Sequence, residues 1–478
     1  MLYDSASKDI MQSHLDRQKA AHLRDGAPSY KQRLEWINTA IALLVENSEA
    51  LCDALAEDFG HRSKDQSAFT DVVSSISAMK HARKHLRQWM RPERRGVEFP
   101  FGLLGARNEI RYQPKGVVGV VAPWNFPVGM VFTPLAGIFA AGNRAMIKPS
   151  EFSPKTSALM ADLIGKAYDP DVAQVFTGEA EVGADFTSLA FDHIIFTGST
   201  NVGRHVMRAA AENLTPVTLE LGGKSPALVG RSADIQKAAN RIMHGKVLNA
   251  GQICIAPDWV LVPEGKENAF VEASRQAVAT MFPTGLKHND DYTSVVNQRH
   301  YDRLQGLADD AREKGGEIIA FNPVNEDFSQ QSHHKMPPHI ILNPTDDMRV
   351  MQEEIFGPLM PVKTYKDTTE AVADINNRPR PLALYYFGED KAERDYVINS
   401  TTAGGVTVND TIFHVAQEEL PFGGVGPSGM GAYHGLEGFR TFSHAKAVHF
   451  QTGLELIKML RPPYDKTFKQ QVKSRIKI

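Results

Sequence analysis

Cys254 is the residue of this chain whose surroundings most suggest nucleophilic chemistry. It is one of two cysteines among 478 residues, and it lies in a short stretch of small residues, after Gly251 and before Pro257. A cysteine thiolate is a strong nucleophile at neutral pH, but a single cysteine is more often a small buried hydrophobe. Cys254 therefore predicts covalent catalysis only if other residues supply an oxyanion donor, a base and an electron acceptor.

Asn125 and Glu220 are the candidates for the oxyanion donor and the base. Asn125 lies within Val121–Pro127, and its side-chain amide could donate a hydrogen bond to an oxyanion. Local turn hydrogen bonds are the alternative for an Asn so near a proline. Glu220 ends an apolar run and precedes two glycines, so it could act as a general base toward water. A hinge would explain the glycines but not the carboxylate.

Two further segments, each at the end of a strand-like run of residues, could bind a dinucleotide. Gly198 and Ser199 lie where a strand-like run meets a helix-like one, and a helix N-terminus attracts a diphosphate, although an ordinary strand-to-helix turn is the alternative. Lys148 and Glu151, three residues apart, could donate to and accept from the hydroxyls of a ribose, with helix capping as the alternative. Glu151 would also repel a 2′-phosphate, which favours NAD over NADP without excluding NADP.

These candidate residues fall at the ends of short β-branched runs that alternate with helix-length segments. The first series covers residues 117–122, 145–147, 172–176, 193–197 and 217–221, and the second begins near residues 226, 259, 339, 382 and 405. Such alternation is typical of parallel sheets with helices on both faces. The sequence therefore predicts an α/β fold with two doubly wound domains, preceded by mainly helical residues 5–90.

Composition and charge exclude several classes of partner. The net charge is −3, with 42% hydrophobic and 23% charged residues, which indicates neither a nucleic acid nor a membrane surface as partner. The longest apolar run, Val128–Gly142, contains Pro134 and is shorter than the roughly 20 residues of a membrane span. Two cysteines cannot form a disulfide framework, so a cytoplasmic location is predicted. His81 and His85 could share a helix face, but no third ligand lies near them in the sequence, so no metal site is predicted.

Short alternating stretches predict a ribbon outside the main domains. They are Val97–Pro100, Glu109–Tyr112 and Lys446–Gln451, and such a ribbon would suit an oligomerisation arm. The tail from Lys458 is basic, which predicts a solvated or lightly packed segment. Binding to an anionic surface is the alternative for the tail.

Six motifs, in this order and with these gaps, resemble those of the aldehyde dehydrogenase superfamily. They are Pro123–Pro127, Lys148–Glu151, Phe196–Thr200, Glu220–Lys224, Gly251–Cys254 and Glu353–Pro358. The resemblance extends from about residue 10 to about residue 450. The block Leu420–Gly435 is similar to the class 3 branch and, within it, to bacterial coniferyl aldehyde dehydrogenases.

The resemblance implies a role for each matching residue. Cys254 would attack the aldehyde carbon, and the Asn125 amide with the backbone N–H of Cys254 would hold the oxyanion. After hydride transfer to NAD or NADP, Glu220 would activate water to hydrolyse the thioester. The implied cofactor contacts are Trp124, Gly198, Ser199 and Leu221, with Lys148 and Glu151 at the adenosine ribose and Glu354 and Phe356 at the nicotinamide ribose and ring.

The resemblance also implies a domain organisation and a substrate range. The implied parts are an NAD(P)-binding Rossmann-like domain (1–98, 114–222 and 411–444), a catalytic domain (223–410), an oligomerisation ribbon (99–113 and 445–457) and a basic tail (458–478). The expected assembly is a homodimer, and the expected substrates are aromatic or medium- to long-chain aldehydes. A CoA-acylating relative and a non-catalytic protein with this fold remain the alternatives, and Glu220 argues against the first of them.

Overall fold

The computed structural model describes residues 7–99, 101–453 and 461–476, and seventeen α-helices lie in these ranges. In chain order they are α1 (Lys8–Asp25), α2 (Tyr30–Glu46), α3 (Ser48–Asp58), α4 (Lys64–Ser67), α5 (Ser74–Trp89), α6 (Gly129–Ala141), α7 (Pro154–Ala167), α8 (Ala180–Thr187), α9 (Thr200–Ala211), α10 (Ile235–Val247), α11 (Glu267–Met281), α12 (Gln298–Glu313), α13 (Arg349–Gln352), α14 (Thr368–Asn376), α15 (Lys391–Ser400), α16 (Gly435–Thr441) and α17 (Lys466–Ile476). A π-helical turn, Ala68–Val73, joins α4 to α5, and 3-10 turns span Phe101–Leu104 and Leu248–Gly251.

Sixteen strands in the described residues form three sheets. They are β1 (Glu93–Arg95), β2 (Arg107–Pro114), β3 (Val117–Val121), β4 (Arg144–Lys148), β5 (Ala173–Val175), β6 (His193–Thr197), β7 (Val217–Glu220), β8 (Pro226–Val229), β9 (Trp259–Pro263), β10 (Glu317–Ala320), β11 (His339–Leu342), β12 (Leu359–Tyr365), β13 (Ala383–Phe387), β14 (Gly405–Val408), β15 (Gly429–Met430) and β16 (Ser443–Phe450).

The first sheet is mainly parallel, as the first series of β-branched runs predicted. Its order is β15-β7-β6-β3-β4-β5, and all neighbours are parallel except β15, which pairs antiparallel with β7. Without β15, the strands read 3-2-1-4-5 in order of appearance, which is the doubly wound half of a dinucleotide fold. Helix α6 is buried along nearly its whole length despite Pro134, as its apolar sequence predicts. The end of this sheet at the carboxyl termini of β3, β6 and β7 is where a ligand is expected.

The second sheet has the order β10-β11-β12-β9-β8-β13-β14, with β10 antiparallel and the others parallel. The sequence predicted five of these seven strands and missed β10 and β12. β10 is a partly exposed edge strand, and β12 contains Pro361, which argues against a strand when only the sequence is read. The prediction of two α/β units with parallel sheets is confirmed.

The third sheet is a ribbon in which β2 pairs antiparallel with β1 and with β16. The strand predicted at Val97–Pro100 is wrong, because the partner of β2 is the charged segment Glu93–Arg95; Pro100 itself lies outside the described residues. Part of the predicted ribbon segment 445–457 and the tail residues Lys458 and Lys477 also lie outside them. None of the helices in the described ranges combines the length and the apolar character of a membrane span.

Candidate active site

A single cleft of about 530 Å³ brings most of the predicted site residues together. Its walls come from the segments that follow β3, β6 and β7 in the first sheet and from the segments that precede β9 and β12 in the second. Cys254, Asn125, Glu220, Glu354 and Phe356 all line it. Residues far apart in the sequence therefore meet because the strand ends of two sheets share one cleft.

Cys254 lies in a tightly constrained turn between α10 and β9. Asn249 and Ala250 have positive φ values of 49° and 52°, which are unusual for residues other than glycine. Gln252 fixes the turn, because its side-chain amide donates to the carbonyls of Asn249 and Ser294, both at 2.9 Å. Backbone strain of this kind is held in place by surrounding contacts and is often found at functional sites.

The thiol of Cys254 is protonated at neutral pH in this state of the protein. Burial raises its pKa to about 12, and the charges of Glu354 and Glu220 contribute in the same direction. By contrast, Cys52 is packed among apolar side chains in the first helices. Cys254 must therefore lose its proton before it can act as a nucleophile.

Asn125 follows β3 and is almost fully buried at the cleft. Its side-chain Nδ2 donates to the Gln252 carbonyl at 3.0 Å, which ties it to the turn that carries Cys254. Its own carbonyl accepts hydrogen bonds from Arg62 at 2.9 Å and from Asn249 at 3.2 Å. One amide hydrogen thus has a protein partner, and the second is available to a ligand.

Arg62 and Asp71 form a support for Asn125 that the sequence did not reveal. Both side chains are fully buried, and Arg62 Nη2 lies 2.7 Å from Asp71 Oδ2. Asp71, in the π-helical turn, also accepts from the backbone N–H groups of Val128 and Gly129, at 3.1 and 3.0 Å. This pair therefore connects the loop of Asn125 to the first turn of α6. The only sequence signal was a charged residue on the apolar face of a helix.

Glu220 ends β7, and its carboxylate is buried at the cleft. Neither carboxylate oxygen has a hydrogen-bond partner among the described residues. Burial raises the pKa of Glu220 well above its ordinary value. Ionisation of a buried carboxyl without partners is costly, and the group can take up a proton only after it has ionised.

Glu354 faces the glycines that follow Glu220. A Cβ atom on Gly222 would lie 2.1 Å from a carboxylate oxygen of Glu354, so only glycine fits there. Burial, followed by the charge of Asp258, raises the pKa of Glu354 to about 8. Its Oε1 atom is buried and has no hydrogen-bond partner in the described chain. This carboxyl group is therefore open to a hydroxyl of a ligand.

Lys224 anchors the segment that carries Glu354. Its Nζ forms an ion pair with Asp258 and donates to the carbonyls of Val350 and Glu353, at 2.6 and 3.0 Å. Asp258 in turn accepts from the N–H of Ile355 at 2.9 Å. The last residue of the Glu220–Lys224 motif thus positions the Glu353–Pro358 motif.

An aromatic group lies on the same side of the cleft. The ring of Trp124 meets those of Phe356 and His300 edge to face, with centroids 5.3 and 5.0 Å apart. Phe356 has a positive φ of 49°. Burial lowers the pKa of His300 to about 4, so this ring is neutral. His300 was not predicted as a site residue, because no motif contains it.

The remaining predicted cofactor residues lie at the ends of neighbouring strands. Gly198 and Ser199 line the cleft, and the Ser199 hydroxyl accepts from the N–H of Val202 at the start of α9. Leu221 also lines it. Lys148 ends β4, and its Nζ lies 4.0 Å from Glu151 and donates to the Pro149 carbonyl at 2.8 Å. Lys148 and Glu151 do not line the main cleft but lie beyond the neighbouring strand β3.

These features fit a nicotinamide dinucleotide. The helix N-terminus behind Gly198 suits a diphosphate, and the buried, unpartnered Oε1 of Glu354 suits a ribose hydroxyl. Gly222 leaves space where a side chain would block it. The flat apolar rings of Trp124 and Phe356 suit an aromatic ring.

The other half of the cleft is mostly apolar. Its walls include Phe69, Val73, Met130, Leu248, Ile412, Val415 and Phe422. Glu418 is the carboxylic acid in this wall, and burial raises its pKa to about 7, with the Glu419 charge adding to the rise and the Gly435 N–H opposing it. This half therefore suits an apolar molecule that carries a hydrogen-bond donor.

Comparison with known proteins identifies the family. The profile of the aldehyde dehydrogenase family matches residues 5–448. The chain belongs to the aldehyde dehydrogenase family. This aldehyde dehydrogenase is 57% identical to a probable coniferyl aldehyde dehydrogenase of Caulobacter vibrioides, with 100% of the chain and 99% of the relative aligned. It is 51% identical to a coniferyl aldehyde dehydrogenase of a Pseudomonas species, over 95% of the chain and 93% of the relative.

A solved structure of Staphylococcus aureus AldH in a substrate-bound state has the same fold. The TM-score is 0.91 at 37% identity, and the match covers 98% of this aldehyde dehydrogenase and 100% of the other chain. The predicted family and fold class are confirmed. The enzyme is an NAD(P)-dependent aldehyde dehydrogenase, which oxidises an aldehyde to the carboxylic acid.

Proposed function

We propose that this aldehyde dehydrogenase acts on aromatic aldehydes of the coniferyl aldehyde type, with NAD as the preferred acceptor. The observation that carries the proposal is the similarity, over nearly the whole chain, to two proteins named for coniferyl aldehyde. The cleft as a whole, at about 530 Å³, has the size of a small-molecule site, and its largely apolar half supports an aromatic substrate.

Cys254 is the proposed nucleophile. The thiol first releases its proton to water. The thiolate sulfur then forms a bond to the aldehyde carbon as the carbonyl π bond opens, and the carbonyl oxygen becomes an oxyanion within reach of the Asn125 amide and the Cys254 N–H. Because Asn125 is held by Arg62 and by Gln252, its free amide hydrogen is preorganised for that charge. The dinucleotide, when bound, supplies the acceptor for the hydride that leaves the substrate carbon. The acyl group is then left as a thioester on Cys254.

Glu220 is the proposed base for hydrolysis of the thioester. Once ionised, its carboxylate takes a proton from water, the hydroxide adds to the thioester carbon, and the carbon–sulfur bond breaks to release the acid. The lack of partners on both carboxylate oxygens supports this role, since a water molecule can hydrogen-bond to them directly.

The proposed cofactor residues divide into three sets. Glu354 and Phe356 hold the nicotinamide ribose and ring beside Trp124. Gly198, Ser199 and Leu221 contact the diphosphate region, and Lys148 with Glu151 binds the adenosine ribose. The carboxylate of Glu151 would repel a 2′-phosphate, which supports NAD over NADP.

Glu418 is the proposed acceptor for the phenolic hydroxyl of the substrate. It is a carboxyl group in an otherwise largely apolar wall, and it lines the same cleft as Cys254. A phenol that donates to this group would place the aldehyde at the other end of the ring toward the thiol. An aliphatic aldehyde would not donate to this carboxyl group, which would keep its contact with the Gly435 N–H but lose the hydrogen bond from the substrate.

A substrate panel tests the proposed function. Steady-state kcat/KM would be measured with coniferyl aldehyde, benzaldehyde and hexanal, each with NAD and with NADP. The proposal expects the highest value for coniferyl aldehyde with NAD. A higher value for hexanal than for coniferyl aldehyde would contradict the aromatic substrate, and a higher value with NADP would contradict the cofactor preference.

A homodimer in the cytoplasm is the proposed state of the enzyme. Strand β16 pairs with β2 on one side and has no partner on its outer edge within the described chain, and such an edge can pair with a second copy. Sedimentation velocity should show one dimeric species, and a single tetrameric species would contradict the dimer. Cell fractionation should recover the activity in the cytosol.

A further inference from the structure

Three possible metal ligands converge outside the active-site cleft. His81 and His85 lie four residues apart on α5, and Glu419 comes from the loop between β14 and β15. One ligand atom from each residue lies within 4.8 Å of the others. Within the described ranges this is the group of three such side chains that could hold a metal ion. The third ligand, which the local sequence around the histidines lacks, is thus supplied by a distant segment.

The distances within this group suit a small metal ion. His81 Nε2 lies 3.4 Å from Glu419 Oε1. Zinc bonds of about 2.0–2.2 Å to nitrogen and oxygen, at tetrahedral angles, place two ligand atoms about 3.4 Å apart. The rings of His81 and His85 have centroids 4.3 Å apart, and the ligand atoms of the three residues lie within 4.8 Å of one another.

The hydrogen bonds of the two histidines also suit metal binding. His85 Nδ1 lies 3.0 Å from the His81 carbonyl, and donation by Nδ1 leaves the lone pair on Nε2. Histidine ligands of metals usually donate their other nitrogen to a carbonyl or a carboxylate in this way. His81 Nε2 is buried and has no hydrogen-bond partner among the described residues. Trp89 packs against both rings and limits their rotation.

We propose that His81, His85 and Glu419 bind one zinc ion, with water as the fourth ligand. Glu419 is largely exposed, so the ion can enter from solvent. Imidazole and carboxylate ligands suit zinc, and an open fourth position is common where the protein provides three ligands.

The ion would connect α5 to the wall of the substrate cleft. Val415, Ala416 and Glu418 line the cleft from the same loop as Glu419. In the absence of metal, the recorded link between the histidines and this loop is the His81–Glu419 contact. Zinc would replace it with two coordinate bonds from α5 and one from the loop, so segment 413–420 should become less mobile.

The test uses full-length, untagged Cys254→Ser protein, because the catalytic thiol would itself bind zinc. Zinc binding is measured by equilibrium dialysis after treatment with a chelator, and the coordination is read from the visible absorption of bound Co²⁺. We expect one zinc ion per chain and the absorption of tetrahedral Co²⁺. Zinc should also slow hydrogen exchange in segment 413–420.

Glu419→Gln and His85→Asn, each combined with Cys254→Ser, test the ligands. Loss of an outer-shell partner weakens metal binding about 10- to 100-fold, so loss of a direct ligand should weaken it at least about 100-fold. His205→Asn, on the exposed surface of α9, is the matched control and should leave binding unchanged. Equal affinity in the parent and in Glu419→Gln, absence of saturable binding in the parent, or equal loss in His205→Asn would overturn the proposal. Since Glu419 is exposed, its substitution should not affect folding.

Discussion

Replacement of Glu418 offers the sharpest test of how the cleft selects its substrate. The comparison uses 3-phenylpropanal and 3-(4-hydroxyphenyl)propanal, which differ only by the phenolic hydroxyl. This saturated pair is preferable to the cinnamaldehydes, because its phenol is not conjugated with the aldehyde and has a pKa of about 10, as in tyrosine. Any difference in kcat/KM between the two then reports the interaction of the hydroxyl with the protein.

The expected preference follows from the state of the Glu418 carboxyl. A hydrogen bond to a charged group contributes about 1.5–3 kcal/mol, which corresponds to a preference of about 10- to 150-fold for the hydroxylated aldehyde. Because burial raises the pKa of Glu418 to about 7, roughly a tenth of the carboxyl groups are ionised at pH 6 and roughly nine-tenths at pH 8. The preference should therefore increase between pH 6 and pH 8.

Glu418→Gln is the matched control for charge. The amide keeps the shape and a neutral acceptor, which contributes about 0.5–1.5 kcal/mol, so the preference should fall to about 2- to 10-fold and no longer change with pH. The neighbouring His434 does not alter this expectation, since burial lowers its pKa to about 4 and it stays neutral throughout the range. Titration of Cys254 and Glu220 affects both substrates alike and cancels in the ratio.

The assay is initial-rate NADH formation with both aldehydes from pH 6 to pH 8. Equal preferences in the wild type and in Glu418→Gln would refute the role of Glu418 as the phenol acceptor. A preference that decreases as the pH rises would refute the electrostatic reasoning. Oxidation of 3-phenylpropanal should survive the substitution, so failure of this idea remains distinct from loss of the enzyme's chemistry.

Four further predictions concern the catalytic residues and their support. Glu220→Gln should retain a burst of about one NADH per chain, because acylation does not need the base, while steady-state turnover falls about 10²- to 10⁴-fold; a steady state near the wild-type rate would exclude Glu220 as the base. Its raised pKa makes the folded wild type lose stability as the pH rises above about 4.3, so Glu220→Gln should gain in urea midpoint at pH 8 but not at pH 4. Asn125→Ala should lower kcat about 10²- to 10³-fold with little change in the pH profile, as measured by stopped-flow and steady-state kinetics. Arg62→Met should cost about 3–5 kcal/mol in denaturant unfolding, since it leaves Asp71 buried and unpaired, and Asp71→Asn in the same protein should recover part of that loss.

The sequence could predict the site residues that lie at the ends of strands. Asn125, Gly198 and Glu220 each follow a β-branched run, and parallel strands bring their carboxyl ends to one edge. Glu354 was predicted as a site residue only from the family motif, because no local sequence pattern connects it with Gly222. The contact between Glu354 and Gly222 depends on how the second sheet faces the first. Local sequence patterns do not determine that orientation.

The wrong and missing elements have physical reasons of the same kind. Strand β1 consists of Glu93, Arg94 and Arg95, which show no strand preference. It forms because its backbone pairs with that of β2. Strand β12 tolerates Pro361 inside a parallel sheet, and the sequence rule for proline therefore failed there. In both cases tertiary pairing outweighs the local preference of the residues.

The π-helical turn Ala68–Val73 shows how catalysis and substrate selection depend on one piece of backbone. The extra residue of a π turn changes which side chains face inward, and here Asp71 faces the protein interior toward Arg62 and the first turn of α6. Phe69 and Val73, from the same turn, line the apolar half of the cleft. A substitution of Val73 that changes the aldehyde specificity should therefore leave turnover intact only if Asp71 keeps its contacts. Loss of those contacts would displace Asn125, because Arg62 links the two.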